Sequence, residues 1–513
     1  MLQKLPVGIQ TFSEIREENY LYIDKTEIAL KLIENNKYVF LSRPRRFGKS
    51  LFLDTLKNIF KAKKEFFEGL YVHDKYDWSK SYPVIHISFA DGTLHTRERL
   101  DEKIISILED NQKSLGITCK NTSSPDICFK DLIIKAHEKY KQKVVVLIDE
   151  YDKPILDNIT DVEVAAQMRD GLRNLYSVIK GSDEYMKFAF LTGVSKFSKV
   201  SIFSGLNNIE DISLNEEYGN ICGYTHEDIK TSFAKHLEGV DLEKLKLWYN
   251  GYNFLGDKVY NPFDILLFIK NKFLYKNYWF ETGTPTFLID VIKEKNYFIP
   301  HLADLVVGEE LLNSFHIENI AIETLLFQAG YLTIDEREID EDNFITYTLR
   351  LPNKEVRKSL NSIFITYLTD NKTYVLQQKE LQKSLQTANL ENLKTILESL
   401  FASIPYNNYV KNNISNFEGY YASVIYAYLA SLGFEIVGED VTNRGRIDLT
   451  LKIKEYIYII EFKMGGGDAL SQIKAKNYAQ KYVSENKKIY LVGINFDEEL
   501  KNLSGFEWEI YSH

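Results

Sequence analysis

Cysteine is scarce in this chain, with three residues among 513. Cys119, Cys128 and Cys222 have no pair spacing of the kind that zinc sites use, so the sequence gives no indication of a structural zinc site. Such sparse use is typical of proteins in a reducing compartment, where disulfides rarely persist. We therefore expect a cytoplasmic protein.

Long apolar runs are also missing. No stretch approaches the roughly 20 apolar residues of a membrane-spanning helix, and the opening MLQKLPVGIQTF lacks the apolar core of a secretory signal. The hydrophobic content of 44% and charged content of 27% are those of an ordinary globular protein. These features predict a soluble protein without a membrane partner.

Basic charge is not in excess. The chain has 63 basic and 73 acidic residues and a net charge of −10. This balance argues against a uniformly basic surface that coats DNA, although a local basic channel remains open. The length is enough for about three domains.

A phosphate-binding loop is present at residues 42–57, SRPRRFGKSLFLDTLK, without its usual first glycine. In the standard pattern G-x-x-x-x-G-K-[ST], Gly48, Lys49 and Ser50 match, whereas Arg43 occupies the first glycine position. Backbone amides of such a loop cradle phosphates, the lysine reaches the β- and γ-phosphates, and the serine can ligate Mg²⁺. An apolar strand before the loop and an apolar-periodic helix after it favour nucleotide binding over an ordinary strand–turn–helix.

A second acidic motif follows about a hundred residues later, in KVVVLIDEYDKPIL at residues 143–156. Five apolar residues predict a buried parallel strand that ends in two carboxylates, as in a Walker B motif. Asp149 would hold Mg²⁺ through water, and Glu150 would orient or deprotonate the attacking water. The alternative is a strand that ends in a solvated acidic turn.

Two further apolar segments, residues 83–90 and 186–192, fit the same sheet. The second places Thr192 and Ser195 at the carboxyl edge, where open α/β sheets bind ligands. Thr192 is therefore a candidate sensor of the γ-phosphate. A hydroxyl that caps the end of the strand is the alternative.

Arg45 and Arg46 lie within the loop itself. They could contact phosphate directly, or they could pair with Asp149 or Asp152. The sequence leaves both roles open.

Three long strings resemble the AAA-ATPase-like family of bacterial proteins: LYIDKTEIALKLIENNKYVFLSRPRRFGKSLFLDTL, LIDEYDKPIL and LTGVSKFSKVSIFSGLNNIEDISL. In that family RPRRFGKS is itself the signature, so the resemblance makes Arg43 a family trait. Members typically carry a C-terminal nuclease-like domain. The resemblance covers about residues 5–240 and continues in WYNGYNF, VYNPFDIL and YWFETGTPTFLI, for which we expect a helical domain packed on the ATPase.

The middle of the chain predicts a helix, a turn and a β-ribbon, in ENIAIETLLFQAGYLTI followed by ITYTLRLPNKEVRKSL. That order indicates a winged-helix-like unit, which could read DNA or pack as a lid. The helix has few Lys or Arg residues, which favours packing. The acidic residues 335–343 are expected to form a solvated wing tip.

The C-terminal stretch at residues 417–463 indicates a second site. An amphipathic helix is predicted at residues 418–432, followed by the strands RIDLTLKI and YIYIIEFK. If these pair through a tight turn at Lys454 and Glu455, Asp448 lies opposite Glu461 with Cβ atoms about 5 Å apart. Lys463 then shares their face of the sheet, and Phe462 points into a core on the other face.

Two carboxylates and a lysine at a strand end are the groups that Mg²⁺-assisted phosphodiester hydrolysis needs. The carboxylates hold the metal, and the lysine positions water or stabilises developing charge. The alternative is a charged hairpin edge that protects against aggregation.

The order helix Glu, Asp, then E-x-K resembles the PD-(D/E)XK nuclease superfamily, with Ile447 in place of the usual proline. The resemblance implies metal ligands at Asp448 and Glu461, a catalytic Lys463, an accessory metal ligand at Glu418 and a metal-bound Phe462 carbonyl. Gln472, on a predicted helix ALSQIKAKNYAQKY, matches an accessory glutamine of many members. Lysines 474, 476 and 481 of that helix could meet a phosphate backbone.

The predicted fold is α/β: a P-loop NTPase domain with a parallel sheet flanked by helices (1–240), a helical and winged-helix-like region (241–370) and an α/β restriction-endonuclease-like domain (371–513). We expect ATP and Mg²⁺ as cofactors and nucleic acid as partner, with DNA, RNA and homo-oligomerisation left open. The leading hypothesis is an ATP-regulated nuclease, and the alternative is an ATP-dependent switch or scaffold whose nuclease fold is inactive.

Overall fold

The computed structural model describes residues 2–120, 124–196, 202–203, 206–279, 305–309, 312, 321–369, 374–404, 418–497 and 499–512. The chain forms two compact units, Met1–Glu294 with Val306–Asn353, and Lys295–Leu305 with Lys354–His513. The segment 241–370, which we predicted as a separate region, is shared between the two units. Its residues 241–294 and 306–353 belong to the first unit, and residues 295–305 and 354–370 belong to the second.

The first unit contains a five-stranded sheet that is parallel throughout, as predicted. Its strands are β1 (Tyr38–Ser42), β2 (Val84–Ser88), β3 (Val144–Asp149), β4 (Met186–Gly193) and β5 (Glu210–Asp211), in the order β2-β3-β4-β1-β5. All six residues of β3 are buried. Strands of this kind are apolar without alternation because helices cover both faces of a parallel sheet.

The helices of this unit differ in how they begin, and several have a side-chain N-cap. They are α1 (Phe12–Glu17), α2 (Thr26–Asn35), α3 (Lys49–Phe60), α4 (Arg97–Leu115), α5 (Pro125–Tyr140), α6 (Lys153–Leu156), α7 (Val162–Lys180), α8 (His226–Thr231), α9 (Leu242–Tyr249), α10 (Pro262–Lys270) and α11 (Ile322–Ala329). The Thr96 side chain accepts a hydrogen bond from the Arg99 amide at the start of α4, and Asp161 caps α7 in the same way.

Five further strands form two small sheets. Strands β6 (Tyr224–Thr225) and β7 (Val259–Tyr260) pair antiparallel, and β8 (Leu305–Gly308), β9 (Thr333–Ile339) and β10 (Ile345–Arg350) form a sheet in the order β8-β10-β9. The predicted helix and β-ribbon are therefore present. Every residue of α11 except the partly exposed Glu323 is buried, and the Gln328 side chain accepts a hydrogen bond from the Lys196 amide. A helix enclosed in this way packs within its unit, which was the favoured alternative to reading DNA.

The second unit is built on a mixed five-stranded sheet in the order β11-β12-β13-β14-β15. Its elements are α12 (Lys354–Thr369), α13 (Tyr374–Gln386), α14 (Leu390–Ala402), α15 (Glu418–Ser431), β11 (Glu435–Thr442), β12 (Gly445–Lys452), β13 (Tyr456–Met464), α16 (Ala469–Lys476), β14 (Lys488–Asp497) and β15 (Asn502–Ile510). Strands β13 and β14 run parallel, and the other neighbours are antiparallel.

The two faces of this sheet have separate apolar cores. On one face Tyr421 of α15 stacks on Phe496, with ring centroids 4.4 Å apart, and Phe462 also packs against Phe496. On the other face Ile473 of α16 and Tyr478 pack with the isoleucines of β13. Phe462 thus lies in the core that the sequence predicted for it.

Two helix predictions need correction. Helix α15 ends at Ser431, and it is not amphipathic, because nearly every side chain from Tyr421 onward is buried. The helix predicted through residues 469–482 breaks at Asn477, which adopts φ 50°, and a 3₁₀ helix (Tyr478–Glu485) follows. Asparagine tolerates the left-handed region and therefore allows the chain to leave the α-helix there.

None of the helices in the described part of the chain combines the length and the apolar character that a membrane crossing requires.

Candidate functional site

The phosphate-binding loop connects β1 to α3 and depends on two left-handed backbone positions. Arg46 has φ 69° and Gly48 has φ 94°, and α3 begins at Lys49 directly afterwards. The Gly48 conformation is one that side-chain-bearing residues rarely adopt, so the retained glycine is the one that the turn into α3 requires.

Arg43, in place of the first glycine, is a buried structural residue. Its guanidinium donates hydrogen bonds to the carbonyls of Ser213, at 2.7 Å, and Tyr218, at 3.2 Å. It also lies 4.0 Å from the ring centroid of Phe254. Burial lowers the pKa of Arg43 to about 10, with Asp211 acting in the opposite direction. Arg43 therefore fixes the entry of the loop through side-chain contacts, where a standard loop uses a glycine turn.

The segments WYNGYNF, VYNPFDIL and YWFETGTPTFLI, for which we expected only general packing, supply contacts to the loop. Phe47 is buried edge-to-face against Tyr252, with centroids 4.8 Å apart. The Arg45 carbonyl accepts hydrogen bonds from Trp279 Nε1, at 3.1 Å, and from Asn261 Nδ2, at 3.4 Å. Residues 280–289 of the last segment lie outside the described residues.

Lys49 is buried, and its ammonium donates to the carbonyls of Arg43 and Pro44, each at 2.9 Å. Burial lowers the pKa of Lys49, and the carboxylates of Asp149 and Glu150 oppose that shift. The structure therefore places the loop lysine within the electrostatic influence of the acidic pair at the end of β3.

Glu150 follows β3 with a left-handed backbone, φ 50°. Burial raises the pKa of its carboxyl, and Lys49 is the largest influence that lowers it. The Glu150 amide donates to Asp149 Oδ1 at 3.0 Å. A non-glycine residue in this region costs free energy and persists only where neighbouring contacts enforce it.

Asp152 makes contacts that hold the backbone next to Glu150 in place. Its buried carboxylate accepts hydrogen bonds from the Ser195 amide, at 2.6 Å, from the Ser195 hydroxyl and from the Val194 amide. The Tyr151 amide donates to the Thr192 carbonyl at 3.1 Å. A Cβ atom on Gly193 would lie 2.6 Å from the Tyr151 ring, so this approach requires glycine. The turn after Glu150 is thus clamped onto the end of β4.

The sequence left two roles open for Arg45 and Arg46, a direct phosphate contact or a pairing with Asp149 or Asp152. The described contacts include no ion pair of either arginine with these two aspartates. The Arg46 guanidinium lies 5.0 Å from the ring centroid of Phe263. Arg45 lowers the pKa of Glu150 electrostatically, although other groups exceed its effect. Both arginines line the same cleft as the loop.

Thr192 has the contact of a strand-end cap. Its hydroxyl is fully buried and donates to the Leu41 carbonyl at 3.0 Å. The structure therefore shows the second of the two alternatives for this residue. The role of Thr192 as a sensor of the γ-phosphate stays a prediction.

A cleft of about 430 Å³ lies over the loop. Such a volume is within the range of ligand pockets, roughly 300–1,000 Å³. Its polar lining includes Arg45, Arg46, Gly48, Lys49, Ser50, Glu150 and Lys153. The Ser50 hydroxyl and the Asp149 carboxylate are hard oxygen donors, which is the chemistry that Mg²⁺ prefers.

The second site, on β12 and β13, has the predicted register. Leu449 pairs with Ile460 and Lys452 pairs with Ile457, and the Ile453 amide bonds the Tyr456 carbonyl at 2.8 Å across the turn. The Asp448 amide points to Glu461 Oε2 at 3.4 Å, and Asp448 Oδ2 accepts from the Phe462 amide at 2.8 Å. The two carboxylates are therefore neighbours.

Lys463 and Gln472 complete this group. Lys463 Nζ lies 4.0 Å from Glu461 Oε1 and donates to the Phe462 carbonyl at 2.9 Å. The Gln472 side-chain amide donates a hydrogen bond to the same oxygen, Glu461 Oε1. Glu461 is 1% exposed, so these contacts orient a carboxylate that water barely reaches.

Oxygen donors at this group fit a divalent cation. Asp448, Glu461 and the Phe462 carbonyl are the hard ligands that Mg²⁺ takes. Among the described residues, no group of three His, Cys, Asp or Glu side chains could hold a metal ion. Glu418 begins α15, but its side chain lies outside the described residues, so its accessory role stays a prediction.

Tyr478 is a site neighbour that the sequence did not indicate. Its hydroxyl donates to the Arg446 carbonyl at 3.0 Å. Burial raises its pKa, and the charges of Glu461 and Asp448 add to that rise. The only signal in the sequence was its position shortly after Gln472.

The three lysines that we expected to contact a phosphate backbone, Lys474, Lys476 and Lys481, differ from one another in their contacts. Lys474 forms an ion pair with Glu509, and Lys481 forms one with the buried Asp440. Lys481 also lies beyond the end of α16, because of the break at Asn477. Of the three, Lys476 is the one that is exposed at the end of α16 without an ion pair among the described contacts.

Two family models match segments of this chain. A family model described as a predicted AAA-ATPase matches residues 6–203, and one described as the PD-(D/E)XK nuclease superfamily matches residues 416–505. An uncharacterized protein in the vnfD 5′ region of Azotobacter chroococcum mcd 1 is 47% identical over 511 residues, which cover 98% of each chain. The chain belongs to this AAA-ATPase-like family with a C-terminal PD-(D/E)XK domain.

The two matched segments coincide with the two sites described above. The first contains the loop, the β3 carboxylates and the β4 end, and the second contains α15, both carboxylates, Lys463 and Gln472. The aromatic supports of the loop, from Tyr252 to Trp279, lie beyond the end of the first match at residue 203.

Proposed function

We propose that this AAA-ATPase-like protein binds and hydrolyses ATP in the cleft over residues 43–50 and that its nucleotide state controls a nuclease in the C-terminal unit. The observation that carries the proposal is the presence, in one chain, of two groups of side chains whose chemistry suits phosphate substrates. One combines Lys49, Ser50 and Glu150 in a cleft, and the other combines Asp448, Glu461 and Lys463.

At the first site, the amides that follow Gly48 and the Lys49 ammonium bind the phosphates. Ser50 and Asp149 would hold Mg²⁺, which when bound neutralises developing charge on the phosphates. Glu150 orients the attacking water and accepts its proton. Its raised pKa makes the carboxylate a better base than an exposed glutamate.

The test of this site is nucleotide binding and phosphate release by the purified full-length chain. We expect Lys49→Ala to abolish ATP binding, and Glu150→Gln to retain ATP but release little phosphate. Equal phosphate release by Glu150→Gln and the unaltered protein would contradict the role of Glu150.

At the second site, Asp448, Glu461 and the Phe462 carbonyl would hold Mg²⁺, which when bound polarises a phosphodiester and acidifies water. Gln472 orients Glu461, and Lys463 positions the attacking water or stabilises charge on the phosphate. These roles predict cleavage of nucleic acid, and the choice between DNA and RNA is left to the assay.

A nuclease assay tests this site across single- and double-stranded DNA and RNA, with Mg²⁺ or Mn²⁺ and with or without ATP. We expect Asp448→Ala and Lys463→Ala each to abolish cleavage, while Lys379→Ala, at an exposed lysine of α13, retains it. Cleavage that survives in Lys463→Ala would contradict the proposed site.

Regulation has its own readout, because it requires cleavage to depend on the nucleotide. We expect cleavage by the unaltered protein to change on addition of ATP, and that change to be lost in Lys49→Ala. Nucleotide turnover without cleavage of any substrate would favour the alternative function, a switch or scaffold with an inactive nuclease fold.

A further inference from the structure

The cleft over the phosphate-binding loop has an apolar part that the phosphate chemistry does not use. It is lined by Ile9, Tyr224, Pro262, Phe263 and Leu266. We refer to these residues as the apolar wall. Leu266 is buried, whereas Ile9, Tyr224 and Phe263 are partly exposed in the cleft. Apolar and aromatic groups beside a cationic loop are complementary to a ligand that has both a charged part and a flat apolar part.

The apolar wall is connected to the loop by specific contacts. Phe263 lies in the first turn of α10, whose N-cap Asn261 accepts from the Phe263 amide at 2.9 Å. The same Asn261 side chain donates to the Arg45 carbonyl at 3.4 Å. The Arg46 guanidinium lies 5.0 Å from the Phe263 ring centroid. The ring and the loop therefore have a defined relative position.

The ligand chemistry follows from this combination. A cleft of about 430 Å³ has room for more than a phosphate chain. Aromatic rings and an arginine plane are the groups on which nucleobases stack, and such stacking is tolerant of base identity. An inorganic polyphosphate would use the loop and leave the apolar wall in water.

We propose that the apolar wall, with Phe263 at its centre, is the base-binding subsite of the nucleotide cleft. The base stacks in the region of Phe263 and Tyr224 while the phosphates lie at Gly48 to Ser50. This inference rests on the proposed nucleotide binding and adds the part of the ligand that gives it selectivity over other polyphosphates.

The test compares ATP with inorganic tripolyphosphate, which has the phosphates and no base, by calorimetric titration of the full-length chain with Mg²⁺ present. We expect Phe263→Ala to weaken ATP binding by roughly tenfold or more, the usual consequence of losing one stacked ring. Tripolyphosphate binding should change less than about twofold. Phe263→Tyr, which retains a ring, should restore ATP binding.

Phe344→Ala is the matched control, because Phe344 is 59% exposed in the turn between β9 and β10 and does not line the cleft. We expect it to bind both ligands like the unaltered protein. Retained tripolyphosphate binding in Phe263→Ala also shows that this variant is folded.

Two outcomes would overturn the inference while nucleotide binding stands. Equal weakening of ATP and tripolyphosphate by Phe263→Ala would show that the ring only supports the loop through Arg46, and unchanged ATP binding would show that the base lies elsewhere. An unaltered protein that binds neither ligand would instead contradict the proposed nucleotide function itself.

Discussion

Individual side chains explain why the phosphate-binding loop can dispense with its first glycine. Arg43 satisfies the carbonyls of Ser213 and Tyr218 and packs on Phe254. A residue anchored in this way holds the loop entry in one position. The arginine therefore has a structural role at the entry of the loop.

We expect Arg43→Gly, which restores the standard pattern, to destabilise the protein by on the order of 3 kcal/mol, because it leaves buried carbonyls without donors. Arg46→Gly is the matched control: Arg46 is exposed and has φ 69°, where glycine is unstrained. Denaturant unfolding of both variants measures the difference. A stable Arg43→Gly would mean that the buried contacts are dispensable.

The Asp152–Ser195 contact predicts a kinetic effect on the proposed hydrolysis. We expect Ser195→Ala to reduce kcat for ATP roughly tenfold with little change in KM, because the turn that follows Glu150 loses one of its bonds to the end of β4. Positioning of Glu150 is the physical cause.

Ser182→Ala is the control for that prediction, since the Ser182 hydroxyl is buried and has no hydrogen-bond partner among the described residues. Its kcat should remain that of the unaltered protein. If Ser195→Ala raised KM and left kcat unchanged, the contact would serve binding instead of positioning.

At the scale of elements, the sequence predicted the pairing of strands more accurately than the ends of helices. The hairpin at Lys454 and Glu455 follows from two apolar strands around a short polar turn, and the register that brings Asp448 to Glu461 is confirmed. The break at Asn477 was not predicted, because apolar residues continue at near-helical spacing through it. Helical periodicity describes which face is buried and does not show where the backbone changes conformation.

Asn477 gives a prediction for that break. Its φ of 50° is left-handed, so we expect Asn477→Gly to be neutral or stabilising and Asn477→Val to destabilise the unit by roughly 1–2 kcal/mol. Lys476→Val, one residue earlier and still within α16, is the control for β-branching alone. Urea unfolding measures all three, and equal stability of the valine variants would exclude strain at Asn477.

At the scale of the whole molecule, the chain forms two compact units with a core each, which predicts separable responses to ligand. We expect calorimetry to show two unfolding transitions. ATP with Mg²⁺ should stabilise one of them, by about 2.7 kcal/mol at a hundredfold excess over Kd.

Two variants assign these transitions. Lys49→Ala should remove the ATP response without moving the other transition, and Phe462→Ala should lower the transition that ATP leaves unchanged, because Phe462 is in the core of the second unit. A single transition that ATP shifts as a whole would show that the units unfold together.

The sequence by itself determined the parallel sheet, the loop at Gly48 to Ser50, the carboxylates at the end of β3 and the pairing of Asp448 with Glu461, because all of these follow from local periodicity and short spacing. Only the tertiary structure decided that Arg43 is buried, that Thr192 bonds Leu41, and that Tyr252, Phe263 and Trp279 surround the loop. These contacts join residues far apart in the chain, and neither spacing nor composition specifies which distant side chains will share one core.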